Sequence, residues 1–175
     1  MKLLLTAILC LTLTAQTQTK PSDLQLTLTQ GPNPDDFSAT IKNTSSHGLY
    51  LTLGTFLANT DFEMSAVNLT LTLPSGKAVT LTPLVSPGAG TIGIMDVPLL
   101  PGATYTFPIA LHKFMGPEED WPTLPSDKAP HLKPGRYRLQ AELLGEDLRP
   151  TQDHHIPNWT GKIKSPEITF QIPTH

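Results

Sequence analysis

The chain has 175 residues, of which 15% are charged and 38% hydrophobic, and this length fits a single domain of ordinary size. Twelve Lys and Arg residues against fifteen Asp and Glu give a net charge of -3 with no basic run, which argues against nucleic acid as a partner. The composition includes 24 Thr, 18 Pro and 12 Gly. Because Thr suits a pleated sheet while Pro and Gly mark turns, these numbers predict an all-β fold.

The first residues have the pattern of a secretory signal peptide. Lys2 precedes an apolar stretch, residues 3–13, that is too short to span a bilayer. We expect residues 1–15 to be the signal, with cleavage near Ala15, and residues 16–22 to form a flexible N-terminal segment. The predicted location is therefore secreted or periplasmic, with no membrane contact after the signal is removed.

The single cysteine offers an alternative interpretation of this terminus, a lipoprotein. Cys10 follows Ile8 and Leu9, where a lipidation motif needs small residues, so cleavage near Ala15 is favoured. The mature chain then holds no cysteine and depends on its hydrophobic core rather than on disulfides. No cofactor is expected.

Alternation of apolar and polar residues is the main structural signal after residue 23. Pro108 lies within one of these segments and predicts an edge strand or a bulge, because proline cannot donate to a ladder. The sequence thus predicts one domain, residues 23–175, folded as an immunoglobulin-like antiparallel β-sandwich of seven to eight strands. The predicted strands contain residues 24–28, 37–41, 49–53, 67–73, 79–81, 105–111, 137–143 and 168–172.

Two strands are entered through a similar phrase, in which a Pro-Gly turn precedes a tyrosine. The first phrase leads to Tyr105, and the second, Pro134-Gly135-Arg136-Tyr137, is similar to the tyrosine corner of immunoglobulin-like domains. We assign structural roles to Tyr105, Pro134, Gly135 and Tyr137.

These phrases, together with the stretch from Phe37 to Asn43 and the closing Trp159 to Pro166, give the chain a recognisable outline. The chain resembles small exported bacterial immunoglobulin-like domains, and its outline is similar to that of the intracellular proteinase inhibitor family of bacilli. The resemblance implies a β-sandwich that binds protein or peptide, with proteinase inhibition as one form of that binding.

The connection from residue 112 to residue 134 is longer than a compact sandwich needs. It contains Glu118, Glu119 and Asp120 followed by Trp121. These residues predict a binding loop with an aromatic anchor beside an acidic cluster. In the alternative interpretation, Trp121 covers the end of the core and the carboxylates are only solvated.

The connection from residue 145 to residue 165 is the second candidate. Trp159 could stack on a ligand, and together with Trp121 it makes carbohydrate the runner-up ligand. His47, Asp153 and His155 could meet at one end of the sandwich and bind a metal, since His is a common metal ligand. The alternative is that these three residues are polar loop filler.

We therefore predict an exported, non-enzymatic binding module for protein or peptide. The alternatives are a carbohydrate-binding module and a small hydrolase or metal-dependent enzyme with its site in residues 145–165. Because the two long connections leave opposite ends of one strand, we expect Trp121 and the Asp153 region to form separate surfaces.

Overall fold

The computed structural model describes residues 22–34, 36–57, 62–84, 90–117, 132–145 and 156–174. Throughout these ranges the fold is all-β, every pairing between the named strands is antiparallel, and the only helical element among them is a 3-10 turn, η1 (Leu111–Lys113). The strands are β1 (Leu24–Gln30), β2 (Asp36–Asn43), β3 (Leu49–Leu57), β4 (Phe62–Met64), β5 (Val67–Thr72), β6 (Ala78–Pro83), β7 (Thr91–Leu99), β8 (Thr104–Ala110), β9 (Phe114–Met115), β10 (Gly135–Gly145), β11 (Gly161–Lys164) and β12 (Ile168–Ile172).

All eight segments with apolar alternation form strands, which confirms the predicted all-β class. They correspond to β1, β2, β3, β5, β6, β8, β10 and β12. The structure adds β4, β7, β9 and β11, so the expected number of seven to eight strands is too low for the residues described. The longest addition, β7, has the sequence TIGIMDVPL, which does not alternate regularly, and its pairing with β3 shifts register between Thr52 and Gly54.

The first sheet has the order β1-β2-β8. Leucines of β1 and apolar residues of β2 and β8 face inward, while Thr, Ser and Lys side chains face solvent. Pro108 of β8 lies opposite Ser38 of β2, and no described strand pairs with the other side of β8. This confirms the edge position that Pro108 predicts.

The second sheet is built around β10, the longest strand. β5 pairs with one side of β10, and β12 and β11 pair in succession with its other side. β6 and β9 extend the sheet beyond β5. Ser165 lies between β11 and β12, where its Oγ accepts a hydrogen bond from the Ala141 N–H at 3.0 Å and its own N–H donates to the Ala141 carbonyl at 2.8 Å.

The third sheet has the order β4-β3-β7. On the side of β3 away from β7, the segment from Pro157 to Trp159 runs beside Tyr50. The Tyr50 N–H donates to the Pro157 carbonyl at 2.9 Å, and the Trp159 N–H donates to the Tyr50 carbonyl at 2.7 Å. These two bonds fasten the last part of the 145–165 connection to the third sheet.

One hydrophobic cluster contains buried residues of all three sheets. Phe170 of β12 joins the first two sheets, since its ring packs edge-on against Phe37 at 5.0 Å and stacks on Tyr137 at 5.4 Å between centroids. The sheets therefore pack face to face as a sandwich, and the immunoglobulin-like topology itself stays a prediction.

Candidate functional site

Tyr137 occupies the position expected for a tyrosine corner. It is 3% exposed, and its hydroxyl donates a hydrogen bond of 2.8 Å to the Lys133 carbonyl just before the Pro134 bend. Burial raises the pKa of the Tyr137 hydroxyl. Gly135 is needed beside it, because a Cβ at that position would lie 2.7 Å from Cγ of Pro74. The structural assignment of these residues is thus supported by their contacts.

Tyr105 has a different setting although its phrase is similar. It lies half-buried on the inward side of β8, opposite Ile41 of β2, and its ring stacks beside Phe107 at 6.1 Å. Tyr105 is therefore a packing residue at the margin of the core.

Trp159 does not offer a stacking surface, which corrects its assignment as a ligand-binding residue. The side chain is only 7% exposed and belongs to the hydrophobic cluster. Its ring fills the space left by two glycines: a Cβ at Gly145 would overlap the indole, and one at Gly161 would lie 3.3 Å from Cζ2. The backbone bonds to Tyr50 hold the ring in this place.

Most of the other candidate residues lie outside the described part of the chain. These are Glu118, Glu119, Asp120, Trp121, Asp153 and His155. His47 is described and lies exposed in the turn between β2 and β3. Within the ranges the structure covers, no group of three or more His, Cys, Asp or Glu side chains could hold a metal ion.

Asn43 is a structural residue that sequence reasoning missed. In the sequence it begins Asn43-Thr44-Ser45, the pattern of an N-glycosylation site. It is fully buried, its Nδ2 donates to the carbonyls of His47 at 2.8 Å and Leu99 at 2.9 Å, and its Oδ1 accepts from the backbone and hydroxyl of Ser45. The amide joins the end of β7 to the β2–β3 turn, so Asn43 is a structural residue without room for a glycan.

A polar surface of the described chain is the solvent side of the second sheet, which we term the β10 face. Its centre is a row of alternating residues of β10. Residues of β5 and β6 lie beside this row on one side, and residues of β12 lie beside it on the other. Thr72 is opposite Arg138, Thr70 is opposite Gln140, and Asn68 is opposite Glu142. The members of the β10 face are Arg136, Arg138, Gln140, Glu142, Asn68, Thr70, Thr72, Ala78, Thr80, Lys162, Lys164, Glu167, Thr169 and Gln171.

The β10 face is basic although the chain is acidic overall. It has four basic residues and two acidic ones, a net charge of +2, against -3 for the whole chain. Glu142 is shared by Lys162 at 3.7 Å and Lys164 at 3.5 Å, and Arg138 pairs with Glu167 at 3.0 Å. Arg136 is exposed and forms no ion pair with another described residue.

A groove opens at the end of the β10 face where β10 begins. Arg136 and Arg138 of β10 line it together with Leu73, Pro74 and Gly76 of the β5–β6 connection. The Thr72 side chain lies at the floor with only 6% exposure. Because Arg138 already pairs with Glu167, the Arg136 guanidinium is the group there that can accept a carboxylate, which a guanidinium binds through two parallel hydrogen bonds.

No protein-family model matches the sequence, and no curated protein sequence matches it. Among solved structures, the chain is similar to a crystal structure of a protein from Bordetella pertussis that bears the name ApaA. The sequence identity is 15% and the TM-score 0.43, with 89% of this chain and 98% of that chain covered. None of the helices in the described ranges has the length and hydrophobicity to span a membrane.

Proposed function

We propose that this chain is an exported, non-enzymatic binding module whose ligand is a protein or peptide, recognised through an acidic segment. The observation that supports the proposal is the net positive charge of the β10 face on a chain that is negative overall. Complementary charge steers an acidic partner to this surface and orients it. We expect Arg136, which lines the groove and forms no ion pair with another described residue, to contact the carboxylates, with Arg138 and its partner Glu167 beside it.

The surface favours a polypeptide ligand over a carbohydrate. Sugar rings are commonly bound by exposed aromatic rings, and the β10 face contains none. The one tryptophan that the structure describes, Trp159, is buried behind Gly145. A polar sheet surface with arginines at one end is suited to the carboxylates and amides of an extended peptide.

The proposal is tested first with a defined probe. A fluorescein-labelled glutamate-rich peptide and a lysine-rich peptide of equal length are titrated with the purified protein, and fluorescence anisotropy is measured. We expect saturable binding of the acidic peptide alone, and loss of that binding near 1 M salt, where the Debye length is about 3 Å.

Charge reversal locates the binding surface. The double variant Arg136→Glu with Arg138→Glu should weaken binding of the acidic peptide by about tenfold or more, since two attractions of about 1 kcal/mol each become repulsions. Lys42→Glu is the control and is compared with Arg136→Glu alone, so that the change in net charge is equal, because Lys42 is an exposed cation on the opposite sheet. Equal losses in both variants, or equal binding of both peptides, would contradict the proposed site.

The natural partner and the export step need separate measurements. The double variant and the wild type are used as paired baits on secreted proteins of the native source, and only proteins lost from the variant bait count as ligands. Mass spectrometry of exported protein should show a mature N-terminus close to Gln16.

A further inference from the structure

Four polar residues of the described chain are buried, and three of them use their side chains in hydrogen bonds within the fold. Asn43 donates to two carbonyls, and Ser165 bonds to the backbone of β10. Thr52 donates to Asp96 at 2.7 Å. The fourth, Thr72, is only 6% exposed, yet its hydroxyl makes no hydrogen bond with another described residue. Because buried polar groups are nearly always paired, this hydroxyl needs an explanation.

Thr72 lies on the solvent side of the second sheet and not in the hydrophobic core. It is opposite Arg138 of β10 and opposite Ala78 of β6, while its neighbour Leu71 is buried in the core. Side chains alternate along a strand, so the Thr72 side chain projects from the same side of the sheet as the Arg138 side chain. Thr72 also lines the groove at this end of the β10 face. Its unpaired hydroxyl is therefore a donor available to a ligand in the groove.

Arg136 supplies a second donor to the same groove. It is exposed and forms no ion pair with another described residue. Arg136 precedes Arg138 by two residues on β10, which makes it a diagonal neighbour of Thr72 across the strand pair. Diagonal neighbours lie about 7–8 Å apart, within reach of a long side chain. The guanidinium and the hydroxyl can thus hold one group between them.

The charges at the groove match a ligand group with a single negative charge. Arg136 and Arg138 line the groove, and Glu167 pairs with Arg138 at 3.0 Å, so these three residues have a net charge of +1. A carboxylate can accept two hydrogen bonds from a guanidinium and still accept one from a hydroxyl. A phosphate group carries about two negative charges, and one of them would stay unneutralised beside Glu167. The groove therefore favours a carboxylate.

The size of the groove limits how much of a ligand it holds. Its volume is about 320 Å³, at the lower end of the range of about 300–1,000 Å³ for ligand sites. It is therefore suited to one acidic residue and not to a longer segment.

We propose that this groove is a carboxylate site that binds one acidic residue of the peptide ligand, with the Arg136 guanidinium and the Thr72 hydroxyl as its two donors. The inference rests on the proposed function and names the group that is recognised. The positive charge of the β10 face attracts any acidic segment, whereas the two donors select a carboxylate at one position. This carboxylate belongs to an acidic side chain or to the C-terminus of the ligand.

Thr72→Val tests the hydroxyl, because valine keeps the shape of the side chain and removes the donor. Binding of the fluorescein-labelled glutamate-rich peptide should weaken about tenfold, as expected for the loss of a hydrogen bond to a charged group. The urea midpoint of the free protein should stay equal or rise, since the hydroxyl has no partner among the described residues to lose. Unchanged binding, or a lower midpoint, would overturn the proposal.

Thr104→Val is the matched control for this variant. Thr104 is an exposed threonine of β8, on the opposite sheet. Its substitution should leave binding of the glutamate-rich peptide unchanged. A loss of binding equal to that of Thr72→Val would also overturn the proposal.

A double variant tests whether the two donors hold the same carboxylate. Arg136→Lys keeps the positive charge but removes the planar fork of the guanidinium, so it should weaken binding by itself. When one of two donors to a shared carboxylate is lost, the contact with the other is loosened. Thr72→Val with Arg136→Lys should therefore weaken binding by less than the product of the two single effects. A loss equal to that product would contradict a shared carboxylate.

Two peptides distinguish the two sources of the carboxylate. A glutamate-rich peptide with an amidated C-terminus carries only side-chain carboxylates, and a glutamine-rich peptide with a free C-terminus carries only the terminal one. The peptide whose binding weakens in Thr72→Val identifies the source, and either result supports the site. If the variant binds each peptide as the wild type does, the proposal is wrong.

Acetate separates a failure of this inference from a failure of the proposed function. In nuclear magnetic resonance titrations of the wild type, acetate should shift the Arg136 Nε–H and the Thr72 amide signals until they saturate, and chloride at equal ionic strength should not. If acetate binds there but no acidic peptide does, the groove is a carboxylate site and the proposed function is wrong. If acidic peptides bind but acetate shifts neither signal, the binding module stands and the carboxylate site is overturned.

Discussion

Tyr137 and Trp159 are buried near opposite ends of β10, and each covers a place where the backbone changes direction. Tyr137 bonds to the Lys133 carbonyl before the strand, and Trp159 lies over Gly145 at its end. Both aromatic residues contribute to the fold rather than to a ligand surface. Substitutions at these contacts should therefore change stability and leave the β10 face intact.

Tyr137→Phe removes one buried hydrogen bond and keeps the ring packing on Phe170. We expect the free energy of unfolding to fall by about 0.5–1.5 kcal/mol, the net value of an internal hydrogen bond. Urea denaturation followed by circular dichroism measures the change. Tyr105→Phe is the control and should leave the midpoint unchanged, because the structure shows Tyr105 in ring packing.

The raised pKa of Tyr137 also predicts a pH dependence. Burial raises the pKa of the hydroxyl above its ordinary value of about 10, so the unfolded chain releases this proton at a lower pH than the folded chain. The contribution of the Tyr137 hydroxyl to the free energy of unfolding is fully present below about pH 10. It is lost as the pH rises through the pKa that the hydroxyl has in the folded state. Stability of the wild type should thus fall more steeply above about pH 10 than that of Tyr137→Phe, and parallel alkaline titrations would contradict the assigned burial.

Gly145→Ala should be destabilising through overpacking. The added Cβ would overlap the Trp159 ring and lie 2.5 Å from its carbonyl oxygen, both of which belong to a segment fastened to Tyr50. We expect a loss of about 1–3 kcal/mol in the free energy of unfolding. Gly90→Ala is the matched control, since a Cβ there meets nothing within 4 Å. Equal midpoints for the two variants would show that the Trp159 segment moves aside freely.

The burial of Tyr137 was predictable from the sequence and that of Trp159 was not, for a physical reason. The Pro134-Gly135 bend fixes the local path of the chain into β10, so the environment of Tyr137 depends mainly on its near neighbours. The environment of Trp159 depends on Gly145 and Tyr50, which are distant in sequence. An isolated tryptophan in a polar loop gives no sign of such contacts.

At the level of elements, β11 and β12 behave as one edge strand interrupted at Ser165. Pro166 cannot donate to a ladder, and the Ser165 hydroxyl supplies the acceptor for the Ala141 N–H at this point. The hydroxyl also donates to the Pro166 carbonyl at 2.8 Å. The Ser165 side chain thereby takes the place of a backbone acceptor in the ladder, and Ser165 itself is only 3% exposed.

Ser165→Ala would leave the Ala141 N–H without its acceptor in the interior. A buried unsatisfied donor costs about 1–3 kcal/mol, so the free energy of unfolding should fall by that amount. Hydrogen exchange of the Ala141 amide should accelerate relative to that of Leu139, which is the internal control. An unchanged exchange rate would mean that another acceptor takes the place of the hydroxyl.

Elements with regular alternation were predictable, and those formed by partner strands were not. The eight predicted strands bury every second residue against the core, which leaves a local pattern in the sequence. β7 includes Asp96 and Pro98, β11 has only four residues, and β9 has two, so pairing with β3, β10 and β6 defines them. The alternation in β10 predicted a solvent side that carries Arg136, Arg138, Gln140 and Glu142. The presence of lysines and threonines beside these residues was not predictable, because it depends on the order of the strands in the sheet.

The whole molecule has one hydrophobic cluster that draws on all three sheets. Leu53 of β3 and Leu139 of β10 are both fully buried in this cluster although they belong to different sheets. A shared core couples the sheets, because no sheet can expose its inner side without opening the others. The described part of the chain should therefore unfold in a single cooperative transition.

Urea denaturation with two probes tests this cooperativity. In a Trp121→Phe background, fluorescence reports only on Trp159, while far-ultraviolet circular dichroism reports on all the strands. Leu53→Ala and Leu139→Ala should each lower stability by about 2–5 kcal/mol, as expected for a buried leucine replaced by alanine. In each variant the two probes should move together to the same new midpoint. Separate midpoints, with β3 lost before the Trp159 environment changes, would show that the third sheet unfolds independently and that the cluster does not unite the molecule.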